Sequence, residues 1–455
     1  MSLNEVKKLI RTNRIKFIDL KYSDIFGRLR HITFPANRID KVVREGLGFD
    51  GSSLPGFKPV TASDMILLPD LSTAFIDPIL KEPTLSCFAQ IYETTKKKRF
   101  ERDPRYILEQ AEDRLKKEIG CDEVLFQPEF EFYIFDRVEI ITNKSMNYAR
   151  FETEELQWED KTGYLVFKGT GYHLAPPFDR SSDLRSQIIN LLNAVGIEVK
   201  YHHHEGGRFS QVEIETAFAP ALKTADQILL VKYLVKNLAL SLGKSATFIP
   251  KPIYDEPGSG LHLHHYLTKR NISLFADTRA KNKLSKLAQY YIGGILAHTP
   301  SLCALTNPST NSFRRLIASF ETPISAFFSF ADRTAAIRIP GYIKSWQELS
   351  IEYRIPDATA NPYFALAAIL LAGLDGVKNK IIPNDSPQPK TNKVINIPRT
   401  LNQALAELKN DHNYLTKTGI FPIELINVYI QAKEKEAESV AQRPHPFECK
   451  LYYGC

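Results

Sequence analysis

The chain has 455 residues, 43% of them hydrophobic, 24% charged and 11% aromatic, which supports a large buried core in about two or three domains and excludes a disordered tail. No apolar run approaches the roughly 20 residues of a membrane-spanning helix, and the charged start MSLNEVKKLIRTNR has no apolar signal segment, so a cytoplasmic protein without a membrane partner is expected. The 59 Lys and Arg against 52 Asp and Glu leave a net charge of +7, but the one dense basic run, Lys96-Lys97-Lys98-Arg99 with Arg102 and Arg105, has no aromatic-interleaved stripe beside it; it reads as a solvated linker face, and no nucleic-acid partner is expected.

Taken in chain order, the first hundred or so residues read as short strands and turns. RIKFIDLKYSD and TLSCFAQIYE alternate apolar and polar positions, and GFDGSSLPGF is rich in turn formers. DPRYILEQAEDRLKKEIG then sets helical spacing after Asp103-Pro104 and ends near Gly120. A small unit over 1–102 and a larger one over 103–455 are expected. In the second, VLFQPEFEFYIFD, IEVKYHHHE, SQVEIE and GLHLHHYL read as strands, while SSDLRSQIINLLNAVG and TADQILLVKYLVKNLALSLGK read as helices. This is a mixed architecture whose sheet carries the functional side chains. The Pro-rich KNKIIPNDSPQPKTNKVINIPRT is a loop, and a helical portion follows from about Leu401 to Gln442. Gly243-Lys244-Ser245 lacks the first glycine of a P-loop and follows its helix, so it is read as a helix end. Cys87, Cys121, Cys303, Cys449 and Cys455 are scattered without a C-x-x-C pair, as reduced thiols would be.

The chemistry is concentrated in acids and histidines placed where a buried strand should be apolar. In PEFEFYIF, Glu129 and Glu131 point to one strand face while Phe130 and Phe132 occupy the other. Two adjacent carboxylates repel, so either they face solvent on a sheet edge or a cation neutralises them. Glu205 and Glu213 flank a Gly-containing turn, His262 and His264 share a strand face, and Glu352 stands in the strand-like IEYR. A carboxylate-rich set without thiolates favours Mg²⁺ or Mn²⁺ over zinc. So many acids over-supply one octahedral ion, and two ions about 4 Å apart suit phosphoryl transfer. Arg314, Arg315, Arg333, Arg338 and Arg354 are the cations such chemistry needs, and an arginine in an apolar strand such as AAIRIP requires an anionic partner, either a site acid or a phosphate.

Together GFDGSSLPGF, QPEFEFYIFD, HHHEGGRFSQVEIE, FIPKPIYDEPGSGLHLHH, TNPSTNSFRRLIASFETP, ADRTAAIRIP, IEYRIPDATANPYFALAAILLAGLDGVKNK and RPHPFECKLYY resemble prokaryotic type I glutamine synthetase from end to end. The resemblance implies an α+β fold, an N-terminal β-grasp domain before a catalytic α/β domain whose antiparallel sheet carries the metal ligands. It implies ATP-dependent ligation: glutamate is phosphorylated on its side-chain carboxylate, and ammonia displaces the phosphate. Carried over by position, one Mg²⁺ or Mn²⁺ would sit on Glu131, Glu205 and Glu213 and another on Glu129, His262 and Glu352. Arg315 and Arg354 would hold the amino acid together with Glu131 and Gly258, Arg333 and Arg338 would stabilise phosphate charge, and Phe218 and His264 would lie near the nucleotide. Glu321 would shield the intermediate from water, and Asp50, from a neighbouring subunit, would deprotonate ammonium. Stacked hexameric rings forming a dodecamer are the assembly it implies.

Departures cluster at ligand contacts. Pro257 replaces the family's usual asparagine, Tyr266 a small hydroxyl residue, and Gln347 and Ser350 basic residues near the ATP phosphates. The stretch after Glu205 reads Gly206-Gly207-Arg208-Phe209-Ser210 instead of V-A-x-x-G, and no tyrosine lies between Tyr363 and Tyr414 for adenylylation at its usual loop. Three readings follow: a glutamate–ammonia ligase, a relative using an organic amine or another acid, and an inert nucleotide-binding ring.

Overall fold

A computed structural model describes the whole chain except residues 95–97, 157–162, 281–282, 318–321, 343–344 and 388–393. The N-terminal region comprises α1 (Leu3–Thr12), β1 (Phe17–Ser23), β2 (Leu29–Pro35), α2 (Ile39–Glu45), β3 (Leu47–Asp50), β4 (Asp64–Pro69), β5 (Phe75–Ile76) and β6 (Thr84–Glu93). Its strands form one sheet in the order β2-β1-β6-β4-β3, with β5 beside β6. β1 and β6 run parallel, the other pairs antiparallel. The strand-and-turn reading omitted α1 and α2. α1 begins with a reciprocal capping box, Ser2 and Glu5, an S-x-x-E signal within a segment that composition alone marks only as charged.

The connection to the second region is held by buried ion pairs. α3 (Pro104–Ile119) starts on an Asp103 cap and stops at Gly120, whose φ of +74° is the left-handed cap that glycine adopts without a Cβ penalty. Arg105, on its first turn, donates to Asp226 at 3.1 and 3.0 Å and pairs with Asp70 at 2.9 Å. Arg99 pairs with Asp103 at 3.1 Å and Glu109 at 2.8 Å. These two arginines therefore hold charges inside the junction between regions rather than on a solvated face. Lys96 and Lys97 lie outside the described residues.

The second region continues with β7 (Glu123–Phe135), a separate hairpin of β8 (Arg137–Thr142) and β9 (Asn147–Glu152), then α4 (Ser182–Ala194), β10 (Val199–His204), β11 (Gln211–Thr216), β12 (Ala219–Pro220), α5 (Ala221–Ser241), β13 (Ser245–Thr247), β14 (Leu261–Lys269), β15 (Ile272–Ser273), α6 (Lys286–Thr306), α7 (Ser312–Arg315), β16 (Phe328–Phe330), β17 (Ile337–Ile339), β18 (Ile351–Tyr353) and α8 (Pro362–Asn379). α9 (Leu401–Asn410), α10 (Asn413–Thr416), α11 (Ile423–Ala441) and α12 (Pro446–Tyr452) complete it. α5 ends before Gly243, and Lys244 pairs with Asp136, so Gly-Lys-Ser is a helix end. The described part of the Pro-rich segment between α8 and α9 has neither helix nor strand.

The main sheet has the order β10-β11-β7-β14-β18-β17-β16, antiparallel except for the β16–β17 pair. β7 is thus an interior strand between β11 and β14, which removes the solvated-edge reading of Glu129 and Glu131. One face is a core: Phe126, Phe130 and Phe132, Val212 and Ile214, Leu261 and Leu263, Ile351 and Tyr353, and Ile337 and Ile339 are buried. His265 shares that face, stacked on Phe126 at 4.7 Å, and burial pushes its pKa down to about 3, so it is a neutral core residue. α6 and α8 pack closely because Gly294 and Gly376 face one another; a Cβ on Gly294 would strike the Ala372 carbonyl.

Candidate active site

The opposite sheet face carries the polar set, because each strand alternates. Register places Glu131 opposite Glu213 and Glu213 opposite His203, while Glu129 stands between Glu215 and His262. His264 pairs across to Glu352, and Glu352 to Arg338. Six strands and their connections thereby present acids, imidazoles and guanidiniums to a cavity of about 1010 Å³. Its lining includes Glu129, Glu131, Glu205, Glu213, His262, Glu352, Gly258, Arg315, Arg333, Arg338 and Arg354.

The distances divide the acids into two neighbourhoods. In one, His264 Nε2 contacts Glu129 Oε1 at 2.7 Å and His262 Nδ1 contacts Glu129 Oε2 at 3.0 Å. His262 also lies 3.8 Å from Glu352, and ligand atoms of Glu129, His264 and Glu352 lie within 4.8 Å of one another. In the other, His203, Glu205 and Glu213 meet the same limit, with His203 Nε2 3.2 Å from Glu213. Glu131 lies beside this group; its Oε2 accepts from the Gly260 amide at 2.6 Å.

Electrostatics show what these groups lack. Burial pushes the Glu205 carboxyl up to about 8, reinforced by Glu213 and Glu131. Burial likewise holds Glu213 well above the ordinary carboxylate range, reinforced by Glu129, Glu131 and Glu352. Glu129 stays well below that range despite burial because His264 and His262 face it. Carboxylates that resist ionisation because they repel one another are relieved by a divalent cation among them. The donor set, carboxylate oxygens with a few imidazoles and no thiolate, fits Mg²⁺ or Mn²⁺.

The arginines divide by partner. Arg338 donates to Glu352 Oε2 at 2.6 Å and Arg354 to Glu352 Oε1 at 2.5 Å, so the ionised Glu352 is held between two guanidiniums. Arg338 also has a buried Nε with no partner among the described residues. Arg315 is different: its hydrogen bonds go to the carbonyls of Ile355, Arg354 and Pro356 and to His262 Nε2 at 3.2 Å. Among the described residues no carboxylate accepts from this buried guanidinium, which leaves it prepared for an anion from outside the chain. Gly258 and Gly260 are small because Arg315 passes over them; a Cβ at either would lie 2.6 Å from its side chain. Arg314, its neighbour on α7, is exposed.

Other expected residues lie apart. Asp50, at the end of β3, is fully exposed and outside the lining of this cavity; hydrogen bonds from Ser52 and Ser53 lower its pKa to about 2. Phe218 packs edge-on against Tyr266 at 5.0 Å, so Tyr266 belongs with the expected nucleotide side. Pro257 lines the cavity and its carbonyl accepts from the Tyr133 hydroxyl at 2.6 Å. Gln347 lies on a short 3₁₀ turn and Ser350 is buried just before β18. Glu321 lies outside the described residues.

Sequence reasoning missed His203 and Glu215, although the two-residue alternation that paired Glu129 with Glu131 also pairs His203 with Glu205 and Glu213 with Glu215. It also missed Tyr172, His173 and Arg185, which enter the cavity lining from loops and a helix where no period announces them.

Residues 101–452 match the family model for the glutamine synthetase catalytic domain, and residues 14–94 that for the glutamine synthetase beta-Grasp domain. The chain belongs to the glutamine synthetase family. It is an enzyme of the ligase class, and the two sheets described above are the family's β-grasp and catalytic units. Among curated relatives, the glutamine synthetase of Vibrio cholerae is 40% identical over 471 residues and that of Escherichia coli K12 39% identical over 471 residues, each alignment covering 100% of both chains. A cryoEM structure of Plasmodium falciparum glutamine synthetase superposes with a TM-score of 0.92 at 27% identity, covering 100% of this chain and 99% of that one. No helix among the described residues is long and apolar enough to cross a membrane.

Proposed function

We propose that the chain joins ammonium to L-glutamate at the expense of ATP, through γ-glutamyl phosphate, giving glutamine, ADP and phosphate. One observation carries the reading: a single sheet face brings the acids of β7, β11 and β18, His262 of β14 and an anion-ready Arg315 to one cavity. Bound Mg²⁺ or Mn²⁺ ions would neutralise phosphate oxygens and orient the carboxylate that attacks the γ-phosphorus. Glu131, Glu205 and Glu213 would hold one ion, and Glu129, His262 and Glu352 the other.

A carboxylate is a poor electrophile because oxide is a poor leaving group; phosphorylation makes phosphate the leaving group. Arg315 binds a carboxylate of the amino acid, with Glu131 and Gly258 beside it, and Arg354 orients its other end. Arg333 and Arg338 stabilise the charge on the transferring phosphoryl group. The aromatic pair Phe218–Tyr266, with His264, fits the planar base of the nucleotide. Glu321 shields the acyl phosphate from water. Asp50, ionised at every physiological pH, takes the proton from ammonium.

Because Asp50 is exposed and outside the cavity lined by its own chain, it serves a neighbouring subunit's site, in a dodecamer of two stacked hexameric rings. The exposed apolar side chains Phe447, Leu451, Tyr452 and Tyr453 support burial against other copies. Synthesis of glutamine places the enzyme in the cytoplasm, where ATP and glutamate are available.

Pro257, a cavity residue without a side-chain donor, favours a second reading in which an organic amine replaces ammonium. Purified protein given ATP, Mg²⁺ and glutamate, with ammonium or a panel of amines, separates the readings when phosphate and ligated product are both recorded. Ammonium-dependent glutamine supports the first. Turnover only with an organic amine supports the second, and nucleotide binding without turnover refutes both.

A further inference from the structure

The turn between Glu205 and Glu213 is one of the stretches where this chain departs from its family, and Arg208 at its centre has no part in the reaction proposed above. Two residues of the turn, Phe209 and Ser210, are non-glycines with φ of +28° and +53°, a backbone that persists only where its surroundings hold it. Ser210 is held by its amide, which donates to Glu155 Oε2 at 2.6 Å, and by its hydroxyl, 2.9 Å from that of Thr153. Arg208 reaches instead to Glu256. Its amide donates to Glu256 Oε2 at 2.9 Å and its Nε to Oε1 at 2.7 Å.

Glu256 is 1% exposed, and the next two residues, Pro257 and Gly258, line the cavity. The same turn holds Gly258 as well: Gln211 Nε2 donates to the Gly258 carbonyl at 3.0 Å, and Gln211 Oε1 accepts from the Gly207 amide at 2.9 Å. The two loops are thus fastened by a charged pair at one end and an amide side chain at the other. Without the guanidinium, Glu256 is a buried charge that has lost its forked partner, and the segment opens until water reaches the carboxylate, carrying Pro257 and Gly258 away from Arg315. Ligand affinity then falls in proportion to the fraction of molecules in which the segment is seated. Pro257 sharpens the effect, because it has no side-chain donor with which a bound ligand could draw the segment back.

We infer that Arg208 is a positioning residue for the amino-acid substrate: through Glu256 it seats Pro257 and Gly258 beside Arg315, and so sets the affinity for the amino acid without touching it. This role deepens the glutamate-ligase reading above and rests on it.

Calorimetric titration of L-glutamate into the full-length protein, with Mg²⁺ and a non-hydrolysable ATP analogue present, tests the role whichever amine is ligated. Arg208→Met is expected to weaken glutamate binding at least about fivefold. In steady-state assays KM for glutamate should rise to match, while kcat and KM for ATP stay within about twofold of wild type, because the segment is seated whenever glutamate is bound. Adding Glu256→Gln removes the stranded charge, so the double variant should bind glutamate more tightly than Arg208→Met alone. A merely structural role would lower kcat and melting temperature without selecting glutamate and without that recovery. Weakening of less than about fivefold in Arg208→Met, or a double variant no tighter than the single one, overturns the inference and leaves the ligase reading standing; wild type that binds no glutamate overturns both. If Arg208→Met fails to fold, Arg208→Lys decides: it keeps the charge but loses the fork, so glutamate should bind at least about twofold more weakly, and unchanged affinity overturns the inference.

Discussion

Adding Mn²⁺ to the metal-free enzyme should expel protons, and the number expelled should fall as the pH rises. Burial, then Glu213 and Glu131, push Glu205 up to about 8, and burial with three neighbouring carboxylates holds Glu213 well above its ordinary value. A pKa of about 8 leaves Glu205 about 90% protonated at pH 7 and about 10% protonated at pH 9. Both carboxylates must be ionised to ligate a cation, so Glu205 releases about 0.9 proton per chain at pH 7 and about 0.1 at pH 9, and Glu213, raised in the same direction, adds to the release. Calorimetric titration in two buffers of different ionisation enthalpy reads the number directly as the slope of heat against buffer enthalpy. A slope of zero at pH 7 refutes the reasoning, because it would mean that the acids are already ionised before any cation arrives. The same shifts set a stability slope. For groups whose folded pKa lies above the unfolded one, the stabilising contribution is fully present below about pH 4.5 and is lost as the pH rises through about 8, at about 1.4 kcal/mol per pH unit for a single group between those limits. Metal-free protein should therefore lose thermal stability between pH 6 and 8.5, whereas the increment from Mn²⁺ should grow over that interval.

Other consequences concern the frame that holds the site. Arg105→Ala leaves Asp226 buried without its guanidinium and should cost about 3–5 kcal/mol in urea unfolding; a cost below about 1 kcal/mol would show that the pairs with Asp226 and Asp70 do not join the two regions. His298, on α6, is lowered by burial but raised to about 9 overall by hydrogen bonds to Asp375 and Asp411. Its stabilisation is fully present below about pH 6.5 and lost as the pH rises through about 9, worth about 1–2 kcal/mol after discounting for the partly exposed Asp411; His298→Gln should flatten unfolding free energy over that window, and an unchanged slope would contradict the assignment. Gly294→Ala drives a Cβ into the Ala372 carbonyl across the α6–α8 contact and should cost about 2 kcal/mol or more, read as a lowered melting temperature.

The site was legible in the sequence where it depends on strand alternation, and obscure where it depends on which strands are neighbours. Glu129 and Glu131 declare a shared face within one tripeptide, but whether that face is an edge or an interior is decided by β11 and β14, which arrive from about 80 and 130 residues away. The same distance hid one partner of Arg105, Asp226, whereas Asp103 and Glu109, which pair with Arg99, stand nearby in the chain and show their role only once α3 is placed against the basic run. Glu215 was within reach of the alternation argument, yet its partner Lys200 stands on β10, which a single strand does not reveal. The helix α3 was readable throughout because its signals, Asp103, Pro104 and Gly120, are all local.

One sheet performs two tasks because β-structure separates them by parity. Phe130 and Phe132 of β7 with Val212 and Ile214 of β11 build the core, and the intervening Glu129, Glu131, Glu213 and Glu215 gather charge that the folded chain alone does not balance. Replacing those acids with apolar residues would relieve the repulsion at Glu205 and Glu213, so in the free protein the acids reduce stability, and their cost is recovered when cations bind. Arg315 follows the same logic with opposite sign, since its guanidinium is buried among carbonyls and an imidazole and gains a counter-charge from an anionic ligand. In the function proposed above, Asp50 extends it between chains, as an ionised carboxylate outside its own chain's cavity that works beside another copy. Ion and substrate binding would therefore each satisfy a charge that folding leaves open, and each should raise the affinity for the other through the electrostatics of one sheet face.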